Sequence, residues 1–257
     1  MRKILYTICR HCGLCAAGCV CSLITLGANG IPYVEPDRAS LCVHCGHCAA
    51  VCPEGAITLD DVAPDKLKAA DPPVPAFMTE HMLKTRRAIR NFHSFIIDNV
   101  LLNKALSLAS YAPTAHNARQ VSYIVINGRD KVEKILHSIV RLMEEHHLYP
   151  NHIKNVRNHY DTLLRGAPCL ILIHAPERIL SETDCATAAC YLELALPSFL
   201  LRSCWAGMFI EACAYGLPEE IHLPKGHKLY AALMVGKPAV TYKRIPLRTP
   251  SEIIWAS

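Results

Sequence analysis

Eight cysteines fall into two runs of identical spacing. The first is Cys9-x2-Cys12-x2-Cys15-x3-Cys19; the second, thirty-three residues on, is Cys42-x2-Cys45-x2-Cys48-x3-Cys52, followed by Pro53. Thiolates are soft ligands suited to iron, and this spacing lets three of them wrap a four-iron, four-sulfur cube while a fourth points away. The chemistry of such cubes is one-electron transfer, often at low potential. Zinc sites pair C-x2-C knuckles across a longer gap, and one zinc needs only four ligands. A disulfide framework gives no reason for two identical four-cysteine runs. The pattern therefore points to two [4Fe–4S] clusters.

The runs are copies of one another. Residues 9–19 read CRHCGLCAAGC and 42–52 read CVHCGHCAAVC, and the register continues, with Leu23-Ile24-Thr25-Leu26 against Ala56-Ile57-Thr58-Leu59. A repeated half-unit implies a pseudo-twofold domain. Gly13 and Gly46 fall between the second and third thiols of their runs, where the backbone must turn tightly. The doubled motif resembles that of a two-cluster bacterial ferredoxin, in which the fourth cysteine of each run ligates the other cube. That resemblance implies one cluster on Cys9, Cys12, Cys15 and Cys52 and another on Cys42, Cys45, Cys48 and Cys19. Two features depart from it: Val20 stands where proline would follow the first run, and Cys21 is an extra thiol.

The 257 residues are 51% hydrophobic, ample for two domains with a core. Nine of the 14 cysteines lie within the first 52 residues. The others, Cys169, Cys185, Cys190, Cys204 and Cys213, sit among apolar neighbours and read as small buried hydrophobes. So many thiols beside iron–sulfur motifs argue for a reducing cytoplasm. Met1-Arg2-Lys3 is followed by too short an apolar run for an export signal. No stretch of about twenty apolar residues predicts a membrane span. The formal charge of +5 without a basic-aromatic tract argues against a nucleic-acid partner.

Residues 1–60 are expected to form the cluster domain, with Gly30–Val34 as a short strand and turn. Residues 61–78, with Asp60-Asp61, Pro64 and Asp71-Pro72-Pro73-Val74-Pro75, read as a stiff proline-rich linker. From 79 to 257 a larger domain follows. Helical periodicity runs over 79–88, 99–111, 130–147, 152–165 and 184–202, with Asp98 and Asp130 as expected N-caps. Strands are expected at 121–127, 169–174 and 230–235. Helices and strands without regular βα alternation predict an α+β fold. No G-x-G-x-x-G is present, so no Rossmann-type dinucleotide fold is indicated.

The larger domain resembles the nitroreductase family of FMN-dependent oxidoreductases, over about residues 80–257. Five segments carry the likeness in order. They are Arg86-Arg87-Ala88-Ile89-Arg90-Asn91-Phe92, Ala112-Pro113-Thr114-Ala115-His116-Asn117-Ala118-Arg119-Gln120-Val121, Gly166-Ala167-Pro168, Cys204-Trp205-Ala206-Gly207, and Tyr242-Lys243-Arg244-Ile245-Pro246-Leu247-Arg248. The resemblance implies an FMN site. Arg86, Arg87 and Arg90 supply guanidinium forks of the kind that satisfy a phosphate dianion. Arg86 and Arg90 share a face if their segment is helical, with Arg87 on a neighbouring face, so two of the three are expected at the phosphate. Lys243 and Arg244 would lie near the flavin's phosphate or pyrimidine end. Backbone N–H groups of Trp205, Ala206 and Gly207 would address the ring. The flavin would sit at a homodimer interface, with Pro113, Thr114, Ala115 and Asn117 reaching the FMN of the partner chain. Ala88 replaces a common serine, and Arg119-Gln120 stands where Gln-Pro is usual. His116 and the His146-His147 pair lack the spacing to complete a metal site.

Together the two halves imply a cytoplasmic iron–sulfur flavoprotein. Electrons from a reduced ferredoxin-type donor would pass singly through the clusters to FMN. They would then go to a small organic acceptor such as a nitroaromatic or a quinone. Two alternatives stay open. One is an electron carrier serving a protein partner. The other is an NAD(P)H-dependent nitroreductase whose cluster domain is structural. No residue stands out as a proton donor.

Overall fold

A computed structural model describes residues 2–5, 7–60, 62–70 and 72–256. They divide into two compact units. The first runs to Val74 and includes Thr114–Ala118; the second comprises Pro75–Pro113 and the chain from Arg119 onward.

The first unit is built twice. Strand β1 (Arg2–Ile4) pairs antiparallel with β4 (Ile57–Leu59), and β2 (Thr25–Leu26) pairs antiparallel with β3 (Pro32–Tyr33). Each cysteine run contains one helical turn, α1 (Leu14–Ala17) or α2 (His47–Ala50). Gly13 and Gly46 begin these turns at φ 74° and 78°, a left-handed conformation that glycine adopts without steric cost. His11 and His44, also thirty-three apart, share positive φ values of 57° and 52°. The small core joins matching positions of the two copies, Cys15 with Cys48 and Ile24 with Ile57, and adds Ala49. The segment expected as a linker carries a 3₁₀ turn at Pro64–Lys66, and the boundary between the units falls inside it, after Val74. Asp61 and Asp71 lie outside the described residues.

The second unit contains α3 (Ala76–Thr85), α4 (Asn99–Ala109), β5 (Ser122–Asn127), α5 (Arg129–Glu145), α6 (Pro150–Arg157), β6 (Cys169–Pro176), α7 (Ser181–Ala195), β7 (Arg202–Trp205), α8 (Gly207–Cys213) and β8 (His227–Gly236). The strands form one antiparallel sheet in the order β5-β6-β8-β7. Strand β6 is apolar at nearly every position because both its faces are covered. Leu170 and Leu172 pack with α5 and α8, while Cys169, Ile171, Ile173 and Ala175 pack with α4 and α7. In β8 the alternation shifts across an irregularity in its pairing with β6. Leu229 then shares a face with Ala232 and Met234.

Several sequence expectations need correction. Asp98 caps α4, its carboxylate accepting from the Val100 amide at 2.8 Å. Asp130 does not cap α5; Gly128 takes that place at φ 123°, which leaves Asp130 in the first turn. The helix expected to reach 165 stops at Arg157. There the Asp161 carboxylate accepts from the amides of Leu163, Leu164 and Gly166 at 3.0, 2.8 and 2.7 Å, giving the backbone partners outside any helix. The helix expected to reach 202 ends at Ala195, and β7 follows Pro197 and the left-handed Leu200. Residues 86–90 form no helix, so Arg86 and Arg90 share no helix face. Of the five scattered cysteines, Cys169, Cys185 and Cys204 are buried, but Cys190 is exposed. Burial pushes the thiols of Cys169, Cys185 and Cys213 up to about 12.

His174 is buried on β6, with its Nδ1 2.9 Å from Nδ1 of His227 on β8. One ring must accept the proton that the other donates, so the pair cannot be doubly charged. Burial, and then the neighbouring imidazole, lower the His174 pKa from its ordinary 6.5. The unfolded chain therefore takes up this proton first as the pH falls. The contribution to stability is complete above about pH 6.5 and is lost as the pH drops through the folded value. Thermal unfolding of the wild type should steepen its fall below that pH relative to His174→Gln. Parallel curves would assign the acid loss elsewhere.

Candidate functional site

The two turns of the first unit each carry a concave pocket. One is lined by Cys9, Cys12, Cys15 and Cys52; the other by Cys42, Cys45, Cys48 and Cys19. Each thus combines three thiols of one run with the fourth of the other. Among the described residues no three His, Cys, Asp or Glu side chains converge as a single metal ion would require. A cube differs, since its four thiolates each bind a separate iron.

The backbone supports thiolate character at these positions. The Leu23 amide donates to Cys19 Sγ at 3.3 Å, and the Ala56 amide donates to Cys52 Sγ at 3.2 Å. These two bonds are counterparts in the repeat. The His44 amide donates to Cys42 Sγ at 3.4 Å. N–H groups aimed at sulfur stabilise negative charge there and tune a cluster's potential. The Leu14 amide, helped by Arg10, holds the Cys12 thiol below its ordinary range, whereas burial raises Cys15. A soft four-thiol lining with amide donors fits an iron–sulfur cube. Cys21 lines the second pocket as an additional thiol. Its counterpart in the other half is Glu54, which pairs with Arg10 at 3.3 Å.

In the second unit three of the singled-out segments come together. The Ile89 amide donates to the Ser203 carbonyl at 2.9 Å, which sets the double-arginine segment along β7. On its other side, the His93 amide donates to the Lys237 carbonyl and the Ala239 amide to the Asn91 carbonyl, at 3.0 and 2.9 Å. Arg87 Cζ then lies 5.4 Å from the centre of the Tyr242 ring, at the start of the closing basic segment. Lys243 and Arg244 follow, exposed. Arg90, Arg165 and Arg86 all lie close enough to Cys204 to oppose the upward push of burial on its thiol.

Two observations test whether a phosphate-bearing ring cofactor fits here. Arg87 Nε is buried and has no acceptor among the described residues. A buried, unpartnered donor is costly, and an incoming phosphate oxygen would satisfy it. Gly207 has open space where a Cβ would stand, so protein packing does not require glycine there. A ring lying close to the backbone would. The residues present fit such a group. One expected contact is already taken, because the Ala206 amide donates to the Ala232 carbonyl at 2.9 Å and prolongs the sheet.

Thr114, Ala115 and Asn117 do not join this group within the chain. They pack with the cysteine unit, where Asn117 Nδ2 donates to the Val43 carbonyl at 2.8 Å, between Cys42 and Cys45; Pro113 belongs to the second unit. Sequence reasoning passed over Glu193, which accepts from the Trp205 indole at 2.9 Å. The available signal was a lone acid within the apolar run 191–201.

The fold and this site define an α+β domain joined to a cysteine-rich domain. Residues 83–237, more than half of the chain, match the nitroreductase family, and residues 8–56 match a 4Fe-4S dicluster domain. The chain belongs to the nitroreductase family and is an oxidoreductase with an N-terminal 4Fe-4S domain. A Methanothermobacter thermautotrophicus protein, named as a candidate NADH dehydrogenase/NAD(P)H nitroreductase, is 25% identical over 163 residues, covering 61% of this chain and 75% of that protein. A Bacteroides fragilis nitroreductase crystallised with FMN is 22% identical, with a TM-score of 0.58 over 69% of this chain and 98% of that one. An FMN-bound nitroreductase from Desulfitobacterium hafniense is 19% identical, also at 0.58, over 70% and 98%. These two establish the fold. Among the described residues no helix is long and apolar enough to cross a membrane.

Close packing holds the double-arginine segment against the sheet. A Cβ at Gly236 would stand 2.8 Å from Phe92 Cδ1 and 2.9 Å from Pro168 Cδ. Gly236→Ala should cost about 1–3 kcal/mol of stability and loosen that segment. Denaturant unfolding checks the first effect, and hydrogen exchange at the Ile89 amide checks the second.

Proposed function

We propose that this protein is an iron–sulfur flavoprotein that passes electrons from two [4Fe–4S] clusters to FMN and on to a small organic acceptor. The observation that carries the reading is the pair of four-thiol pockets, each built from three cysteines of one run and one of the other. In this proposal Cys9, Cys12, Cys15 and Cys52 hold one cluster, and Cys42, Cys45, Cys48 and Cys19 hold the second. When bound, the clusters supply one-electron transfer, and FMN supplies the two-electron or hydride step to the acceptor.

The chain's own residues bind and orient. Arg87, whose buried Nε lacks a partner, is the first choice for the phosphate, with Arg86, Arg90 and Lys243 adding positive charge. Arg244 is proposed near the flavin's pyrimidine end, where a fixed cation would favour the reduced ring. Trp205 and Gly207 border the ring. Pro113, Thr114, Ala115 and Asn117 are proposed to serve the flavin of a partner subunit in a homodimer. The closing segment supports a dimer: Leu247 is 100% and Trp255 88% exposed, an unusual placement for large apolar side chains in a lone chain. A reduced ferredoxin-type protein in the cytoplasm is the proposed donor.

Anaerobically purified protein should contain about eight iron atoms per chain and one FMN. Iron near four, or FAD on acid release, would overturn the assignment. Cys52→Ser should perturb the cluster of Cys9, Cys12 and Cys15, read by EPR of the reduced protein. Damage confined to the other cluster would contradict the crossed ligation.

A second test separates this proposal from an ordinary NAD(P)H nitroreductase with a structural cluster domain. The Cys12→Ala/Cys45→Ala variant should retain FMN but lose its rapid reduction by a low-potential protein donor in stopped flow. Undiminished flavin reduction would take the clusters off the route. Full activity with NADPH in that variant would favour the alternative.

A further inference from the structure

Glu193 stands in α7 with only 7% of its surface exposed, inside a helix otherwise packed on the apolar sheet. Apolar side chains would fill this place at lower cost, since an uncompensated buried carboxylate costs several kcal/mol. Three groups compensate it. The Trp205 indole Nε1 donates to Oε2 at 2.9 Å, and the Ser203 hydroxyl donates to Oε1 at 3.1 Å. Arg86 Nη1 lies 3.6 Å from Oε1, completing an ion pair. The twofold period of β7 makes this possible, because Ser203 and Trp205 share its face toward α7 while Cys204 joins the core on the other side.

We infer that Glu193 is a positioning residue of the flavin site, holding the Trp205 indole and the Arg86 guanidinium in place for the cofactor. The inference rests on the proposed FMN site and divides its two adjacent arginines. Arg86 has a buried counter-ion and is a framework cation. Arg87 has a buried Nε without a partner and is the cation left to meet the phosphate. Trp205 is 38% exposed, so its indole is tethered at the N–H while much of its ring remains open to a ligand. A ring pinned by one charge-assisted bond is pre-organised, and binding then costs less ordering.

The test uses full-length dimer or monomer as purified, in a Trp255→Phe background that leaves Trp205 as the remaining one of two tryptophans. Glu193→Gln keeps the volume but removes the charge that joins Arg86 to the indole. We expect the FMN Kd to rise roughly tenfold, with a red-shifted Trp205 emission and an altered visible spectrum of bound flavin. Glu193→Asp keeps the charge but withdraws it, and should shift all three readouts in the same direction; it carries the test if the glutamine variant does not fold. Kd, emission and flavin spectrum equal to those of the Trp255→Phe parent in a folded variant would overturn the positioning role. Arg87→Ala separates this from the underlying reading. If FMN binding is unchanged in Arg87→Ala, the site itself is misplaced. If Arg87→Ala weakens binding and the Glu193 variants do not, only the role of Glu193 falls.

Discussion

Burial of β6 on both faces sets the architecture of the second unit. A strand with leucines on one side and isoleucines on the other must have helices on both, and α4 and α7 cover one face while α5 and α8 cover the other. Each fully buried Leu or Ile contributes about 1.5–3 kcal/mol, so β6 alone provides much of the drive to form the layers. Its pairing with β8, and that of β8 with β7, then carry Ser203, Cys204 and Trp205 to the sheet edge beside the double-arginine segment. The site is a consequence of how the apolar strand is covered.

The first unit answers to a different constraint. Its core consists of a few small contacts, two of them made by cysteines of the repeated runs. So small a core is marginal for an independent domain. Under the proposed assignment, ligation of clusters by the eight thiols would also act as folding energy for this unit. The duplicated geometry of Gly13 with Gly46, His11 with His44, and the amide–sulfur bonds at Cys19 and Cys52 places equivalent backbone at both pockets. Where the copies differ, they differ at the rim: an Arg10–Glu54 pair in one half, and Val43 with Cys21 in the other.

The buried charges of the second unit show the same economy of placement. Arg86 and Glu193 meet across the β7–α7 face, while Arg87 turns toward Tyr242 and leaves its Nε without a partner. The two adjacent arginines thus go to different surroundings, one consumed by the protein and the other presented. Had the segment been helical through Arg90, Arg86 would have been grouped with Arg90 instead.

Much of this was legible in the residues. The cysteine spacing, the 33-residue repeat and the continuous apolar run of β6 are local patterns, and local patterns survive folding unchanged. The α+β class, the Asp98 cap and the order of the motifs were also readable, because each depends on neighbours within a turn or a strand. The early ends of α6 and α7 escaped the periodicity because the Asp161 bonds to nearby amides and the left-handed turn at Leu200 leave apolar spacing unchanged. What only the tertiary structure decided depends on distant partners. Thr114–Ala118 grouping with the cysteine unit rests on contacts such as Asn117 to Val43. The Glu193 network joins residues from three segments, and no periodicity encodes a hydrogen bond between a helix, a strand edge and an extended arm. Sequence determines which chemistry the side chains can do; the packing decides which of them meet.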